Sequence, residues 1–124
     1  MEQGKVPGWN EIERMIQNCR RCGLCEQRHS IVLGEGNRQA EIMLVGEGPG
    51  ADEDAQGRPF VGKAGQLLDK MFSAIDMRRE DLYITNVVKC RPPGNRTPLD
   101  EEAHACLPIL RMQYALIRPK IVVC

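Results

Sequence analysis

From Gly46 to Gly65 the chain reads Gly-Glu-Gly-Pro-Gly-Ala-Asp-Glu-Asp-Ala-Gln-Gly-Arg-Pro-Phe-Val-Gly-Lys-Ala-Gly, interleaving glycines, carboxylates and one aromatic ring. Glycine lets a backbone turn sharply and approach a bound molecule closely, which suits a ligand-binding loop. Glu47, Glu53 and Asp54 bring carboxylates beside the flat face of Phe60. The segment is therefore the expected active site. Acidic residues near a helix start also complement its dipole, so structural roles for Glu53 and Asp54 stand beside chemical ones.

Cysteines form the second constellation. Cys19 and Cys22 make a C-x2-C pair, while Cys90 and Cys106 lie far along the chain. In a reducing compartment such thiols favour metal ligation or catalysis over disulfides. Structural zinc usually pairs two local knuckles, each fixing two tetrahedral positions, whereas here the second pair is widely separated. Cluster ligation tolerates that spacing better. Cys25 prolongs the first pair into a C-x2-C-x2-C run resembling part of a ferredoxin pattern, so three thiols compete for two places. An iron-sulfur or a zinc site fits the spacing. Cys124, in an apolar run, reads as a core thiol.

These groups need elements to hold them. Trp9 to Gln17 predicts a short amphipathic helix with Asn10 as N-cap, leading into Cys19 and Cys22. Glu41 to Gly46 predicts a buried strand, and Lys63 to Ile75 a helix with Leu67, Leu68, Met71, Phe72 and Ile75 at helical spacing. Asp81 to Val88 is a second strand. The loop Cys90 to Pro98 then leads to a helix from Leu99 to Ile117, which Pro108 is expected to bend or interrupt. Lys120 to Cys124 begins a third strand. Strands alternating with helices imply an α/β fold with a central parallel sheet covered on both faces. Ending in mid-strand, the sequence reads as one domain, 1–124, incomplete at its C-terminus.

Composition bounds the function. Seventeen basic residues balance seventeen acidic ones, so any nucleic-acid contact must come from a local patch rather than a global field. Lys89, Arg91 and Arg96 form the best such patch. No apolar run approaches the roughly 20 residues needed to span a bilayer, and the N-terminus lacks an apolar signal core. A cytoplasmic protein with no membrane partner is expected. His29 and His104 read as surface or packing residues.

The pattern Gly46-Glu-Gly-Pro-Gly50, Glu53-Asp54, Gly57-Arg-Pro-Phe-Val-Gly-Lys-Ala-Gly65 and Thr85-Asn-Val-Val-Lys-Cys-Arg-Pro-Pro93 resembles family 4 uracil-DNA glycosylases, the iron-sulfur branch of that superfamily. The resemblance spans Cys19 to Cys124 and implies a three-layer α/β/α fold and a monomer acting on uracil-containing DNA. It implies a [4Fe-4S] cluster on Cys19, Cys22, Cys90 and Cys106, with Cys25 as an extra thiol. Such enzymes cut the N-glycosidic bond of deoxyuridine and leave an abasic site. By resemblance, Phe60 stacks on the flipped base, Asn86 reads uracil and the backbone at Gly48 lines the pocket. Glu47 and Asn95 are then the catalytic candidates, with Glu53 in reserve. The family also carries a His-Pro-Ser motif and a DNA-inserting loop after the third strand. This sequence stops before either, which implies impaired activity for the chain as it stands. The competing readings are a non-catalytic iron-sulfur DNA-binding module associated with replication or repair, and a zinc-stabilised nucleotide-binding domain.

Overall fold

A computed structural model describes residues 8–17 and 19–124. Four strands, β1 (Glu35–Gly36), β2 (Ile42–Gly46), β3 (Tyr83–Asn86) and β4 (Ile121–Val123), form one sheet in the order β1-β3-β2-β4. β2 pairs in parallel with both β3 and β4. β1 adds a short antiparallel edge that the sequence pattern did not announce. Four helices accompany the sheet: α1 (Trp9–Ile16), α2 (Ala51–Gln56), α3 (Lys63–Ser73) and α4 (Asp100–Ile117).

Alternation along the strands sorts the core into two layers. Met43 and Tyr83 point to one face, where Ala40 and Ile117 join them with Trp9 and Leu110 packed against the group. Leu44, Leu82 and Ile84 point to the other, beneath Phe60, Leu68 and Phe72. Helices α1 and α4 thus cover one face and α3 the other, giving the expected three layers. Trp9 lies 5.6 Å from the Tyr83 ring, and the Arg38 guanidinium sits 4.2 Å above Trp9.

The local expectations hold with instructive exceptions. Gly8, not Asn10, is the N-cap of α1, because the helix begins at Trp9 and already includes Asn10. α4 runs through Pro108 without a break. Pro108 and His104 are both on the exposed side, where water can satisfy the carbonyl that loses its N–H partner. Cys124 is exposed rather than in the core, since β4 pairs on one side only and all three of its residues are exposed. Helix α2 falls inside the glycine-rich segment, where the sequence pattern predicts a loop. Its signal was there: Glu53 reaches back to the Gly50 amide at 2.9 Å, and Gly57 ends the helix in the left-handed conformation at φ 74°.

The chain order places a crevice. After β2 the chain passes to α3 on one face, and after β3 it passes to α4 on the other. Ligands in open α/β sheets bind where such connections diverge, at the carboxyl ends of the strands. Here those ends are Gly46 and Asn86, which are register partners.

Candidate active site and cysteine centre

Two backbone bonds carry the β2–β3 pairing beyond the strands, Val87 N to Gly46 O at 2.9 Å and Val88 N to Glu47 O at 3.2 Å. They draw the two strand-end loops together. One hollow between them is lined by Gly48, Gly50, Glu53, Phe60, Ala64 and Asn86. An adjoining hollow is lined by Glu47, Asn95, Pro92 and Arg96 and shares Gly48 and Gly50 with the first. The structure thus brings Phe60 and Asn86 to one cavity and Glu47 and Asn95 to its neighbour.

Gly46 shows how close the first pair stands. A Cβ there would lie 2.4 Å from Asn86 Oδ1 and 2.5 Å from Phe60 Cζ. Asn86 is 2 % exposed, and its side-chain amide has no hydrogen-bond partner among the described residues. Gly48 lies against Val88, whose Cγ2 would be 2.8 Å from an added Cβ. Glu47 is exposed, and its carboxylate likewise has no hydrogen-bond partner among the described residues. Asn95 accepts from Arg91 Nε at 2.8 Å.

Phe60 and Asn95 both hold a left-handed backbone, at φ 52° and 60°. That conformation costs a residue with a side chain roughly 1–2 kcal/mol and persists only where neighbours enforce it. Around Phe60 the enforcement is visible. Glu53 Oε2 accepts from Val61 N and Gly62 N, both at 2.9 Å. Glu53 is therefore engaged with three loop amides, counting Gly50, and stands as a clamp rather than a free base. Burial would raise its carboxyl, but the amides of Gly62, Glu53 itself, Val61 and Gly50 outweigh it and hold it below the usual 4.5. Asp54 is also structural: buried, it accepts from His29 N at 2.9 Å and Ser30 N at 3.0 Å, tying the N-terminal segment to α2.

The expected basic patch is smaller than its residue types suggested. Lys89 is 1 % exposed, and its Nζ donates to Thr85 Oγ1 at 2.7 Å and to the Asn86 carbonyl. Burial pushes this ammonium down to about 7, with Cys106 opposing. It cannot face phosphates from there. Arg96 is tied to Glu102 by two bonds of 2.8 Å. His29 and His104 are exposed.

Behind the strand ends, Cys19, Cys22, Cys25, Cys90 and Cys106 line one largely apolar cavity together with Arg28 and Lys89. Three separate parts of the chain meet there. Arg28 Nη1 donates to Cys19 O at 2.7 Å and to Cys90 Sγ at 3.4 Å. Burial raises Cys90 to about 11 against the pull of Arg28, and burial also raises Cys22 and Cys106. Among the described residues no three metal-binding side chains are arranged to close on one ion, so what is formed is a shared cavity rather than a coordination sphere. Its donor chemistry, thiols in apolar walls with the Arg28 guanidinium on Cys90, fits soft thiolate ligation.

Comparison with known proteins gives this geometry its relatives. Residues 33–124 match the model of the uracil DNA glycosylase superfamily. The chain is 52 % identical over 115 residues to a type-4 uracil-DNA glycosylase of Archaeoglobus fulgidus, covering 93 % of this chain and 58 % of that one. It is 50 % identical over 113 residues to the type-4 enzyme of Pyrobaculum aerophilum, covering 91 % and 58 %. For that of Thermotoga maritima the identity is 49 % over 112 residues, covering 90 % and 58 %. The chain therefore spans 58 % of the length of each of these curated relatives. No helix among the described residues is long and apolar enough to cross a membrane. With its two hollows at the divergence of β2 and β3 and this match over residues 33–124, the chain belongs to the uracil DNA glycosylase superfamily.

Proposed function

We propose that the chain carries the base-reading half of a uracil-DNA glycosylase, a hydrolase that cuts the N-glycosidic bond of deoxyuridine in DNA. The observation that supports this most is the meeting of the Phe60 ring and the Asn86 amide over Gly46. Taking a base from the duplex stack costs on the order of a few kcal/mol, and stacking on an aromatic ring returns about 1–3 kcal/mol. Stacking does not discriminate between bases. Asn86 does: its NH2 donates to uracil O4 and its Oδ1 accepts from N3–H, whereas cytosine meets it with an amino group and a bare N3.

In the hydrolysis a water oxygen bonds to C1′ as the C1′–N1 bond breaks, uracil leaves as an anion and the water's proton passes to an acceptor. Glu47 and Asn95 line the adjoining hollow; in this reading the Glu47 carboxylate takes the water's proton and the Asn95 amide helps orient the water. Backbone donors around Gly48 line the uracil side. A [4Fe-4S] cluster on Cys19, Cys22, Cys90 and Cys106 would supply a cross-link between the N-terminal segment, the loop after β3 and α4. Cys25 stands in the same cavity as a spare thiol.

The test is single-turnover uracil release from an oligonucleotide holding one deoxyuridine, with anaerobically purified protein. Release well above that of an Asn86→Ala variant is expected. Equal rates for the two would remove Asn86 from base reading, and no release with the cysteine centre intact would leave a non-catalytic DNA-binding module in place of the enzyme.

A further inference from the structure

Neither the stacking role of Phe60 nor the base-reading role of Asn86 explains a partly buried arginine that grips the loop. Arg79 lies in the short turn that precedes β3, with its side chain 17 % exposed. Its Nη2 donates to Pro59 O at 2.7 Å and its Nη1 to Phe60 O at 2.8 Å. The same two nitrogens are pinned by Glu35 at 2.9 Å and Asp69 at 3.1 Å. Glu35 is in turn held by Arg58 through bonds of 2.8 and 2.9 Å. Arg79 Nε is buried without a partner among the described residues, and the outer nitrogens make the bonds given above.

This fork holds the carbonyls of two consecutive residues, the second of which is left-handed. On the far side of Phe60, Glu53 holds the next two amides. Gly65 presses from α3, where a Cβ would sit 1.9 Å from Phe60 O. The peptide on each side of the ring is thus fixed by an ionised group. A planar guanidinium suits two diverging carbonyls, which a lysine ammonium cannot match with the same geometry.

We infer that Arg79 is a positioning residue for base recognition: it sets the backbone of Pro59 and Phe60 and so presents the Phe60 ring to the base. The inference rests on the proposed stacking role of Phe60, and its test separates the two. The chain has only two phenylalanines, Phe60 and Phe72. Uniform labelling with 4-fluorophenylalanine therefore gives two fluorine resonances, assigned through Phe72→Leu. Arg79→Lys, which keeps the charge beside Glu35, and Arg79→Met, which keeps only the stem, are compared with the parent protein. In both, the Phe60 resonance is expected to shift or broaden while that of Phe72 holds.

In uracil release, each variant is expected to lower kcat/KM about tenfold to a hundredfold, the cost of a misplaced contact. In a Phe60→Ala background the same substitutions should change the rate by less than about twofold, because the ring they act through is gone. An unmoved Phe60 resonance overturns the inference, as do additive losses in the double variants or both resonances moving with a general loss of fold. If the parent protein releases no uracil, the glycosylase reading falls and the fluorine spectra alone decide whether Arg79 fixes Phe60.

Discussion

Gly46 is the residue on which the proposed base pocket turns. It faces Asn86 Oδ1 and the Phe60 ring at distances that leave no room for a methyl group. Gly46→Ala should therefore displace one of them and lower uracil release at least as much as Asn86→Ala, with melting temperature checked alongside. Normal release by a folded Gly46→Ala protein would show that the two side chains do not act as a pair. Asn86 was legible in the sequence through its place in Thr85-Asn-Val-Val, and Phe60 through Gly-Arg-Pro-Phe-Val-Gly. Arg79 was not. Its partners lie 10, 19, 20 and 44 residues away, so no local spacing could flag it. Lys89 departs from expectation for a related reason: its type predicts a surface, and only packing turns the ammonium inward onto Thr85 and Asn86.

Among the elements, α2 and the loop after it depend on two adjacent carboxylates with different partners. Asp54 fastens the N-terminal segment through His29 and Ser30, and Glu53 fastens the loop that carries Phe60. Hydrogen bonds to a buried charge contribute about 1.5–3 kcal/mol each. Asp54→Ala is expected to cost about 2–4 kcal/mol in a urea titration; a loss under about 0.5 kcal/mol would contradict the tether. Three carboxylates are held below the usual 4.5: Glu35 chiefly by Arg58, Glu53 by loop amides against its burial, and Glu102 chiefly by Arg96. With folded values lowered, the folded state binds fewer protons than the unfolded chain. Their stabilisation is complete above about pH 4.5 and is lost as pH falls through the folded values. Urea midpoints taken from pH 6 to 3 should fall on the acid side, less steeply in Glu35→Gln. An unchanged slope in that variant would remove Glu35 from the account.

Across the whole molecule, the cysteine cavity joins three parts of the chain: the segment after α1, the loop after β3 and the middle of α4. If the proposed cluster acts as a cross-link, Cys90→Ala should lower the unfolding midpoint and DNA binding together. An unchanged midpoint would contradict the structural assignment. Lys89 ties this cavity to the strand end, since it lines the cavity while its Nζ bonds the Asn86 carbonyl. Damage to the cysteine centre is therefore expected to reach base recognition as well as stability.

The sequence by itself determined the parallel strands, the three long helices and the candidate groups at the strand ends. Apolar periodicity, glycine placement and motif spacing are local properties that survive without a fold. Tertiary structure alone decided that Cys25 shares the cavity while Cys124 faces outward, that Lys89 turns inward, and that Glu53 is bound by loop amides. It also decided which arginine holds Phe60. Each of those outcomes depends on partners brought together by packing across tens of residues, where burial and hydrogen-bond satisfaction outweigh the local preference of any single residue type.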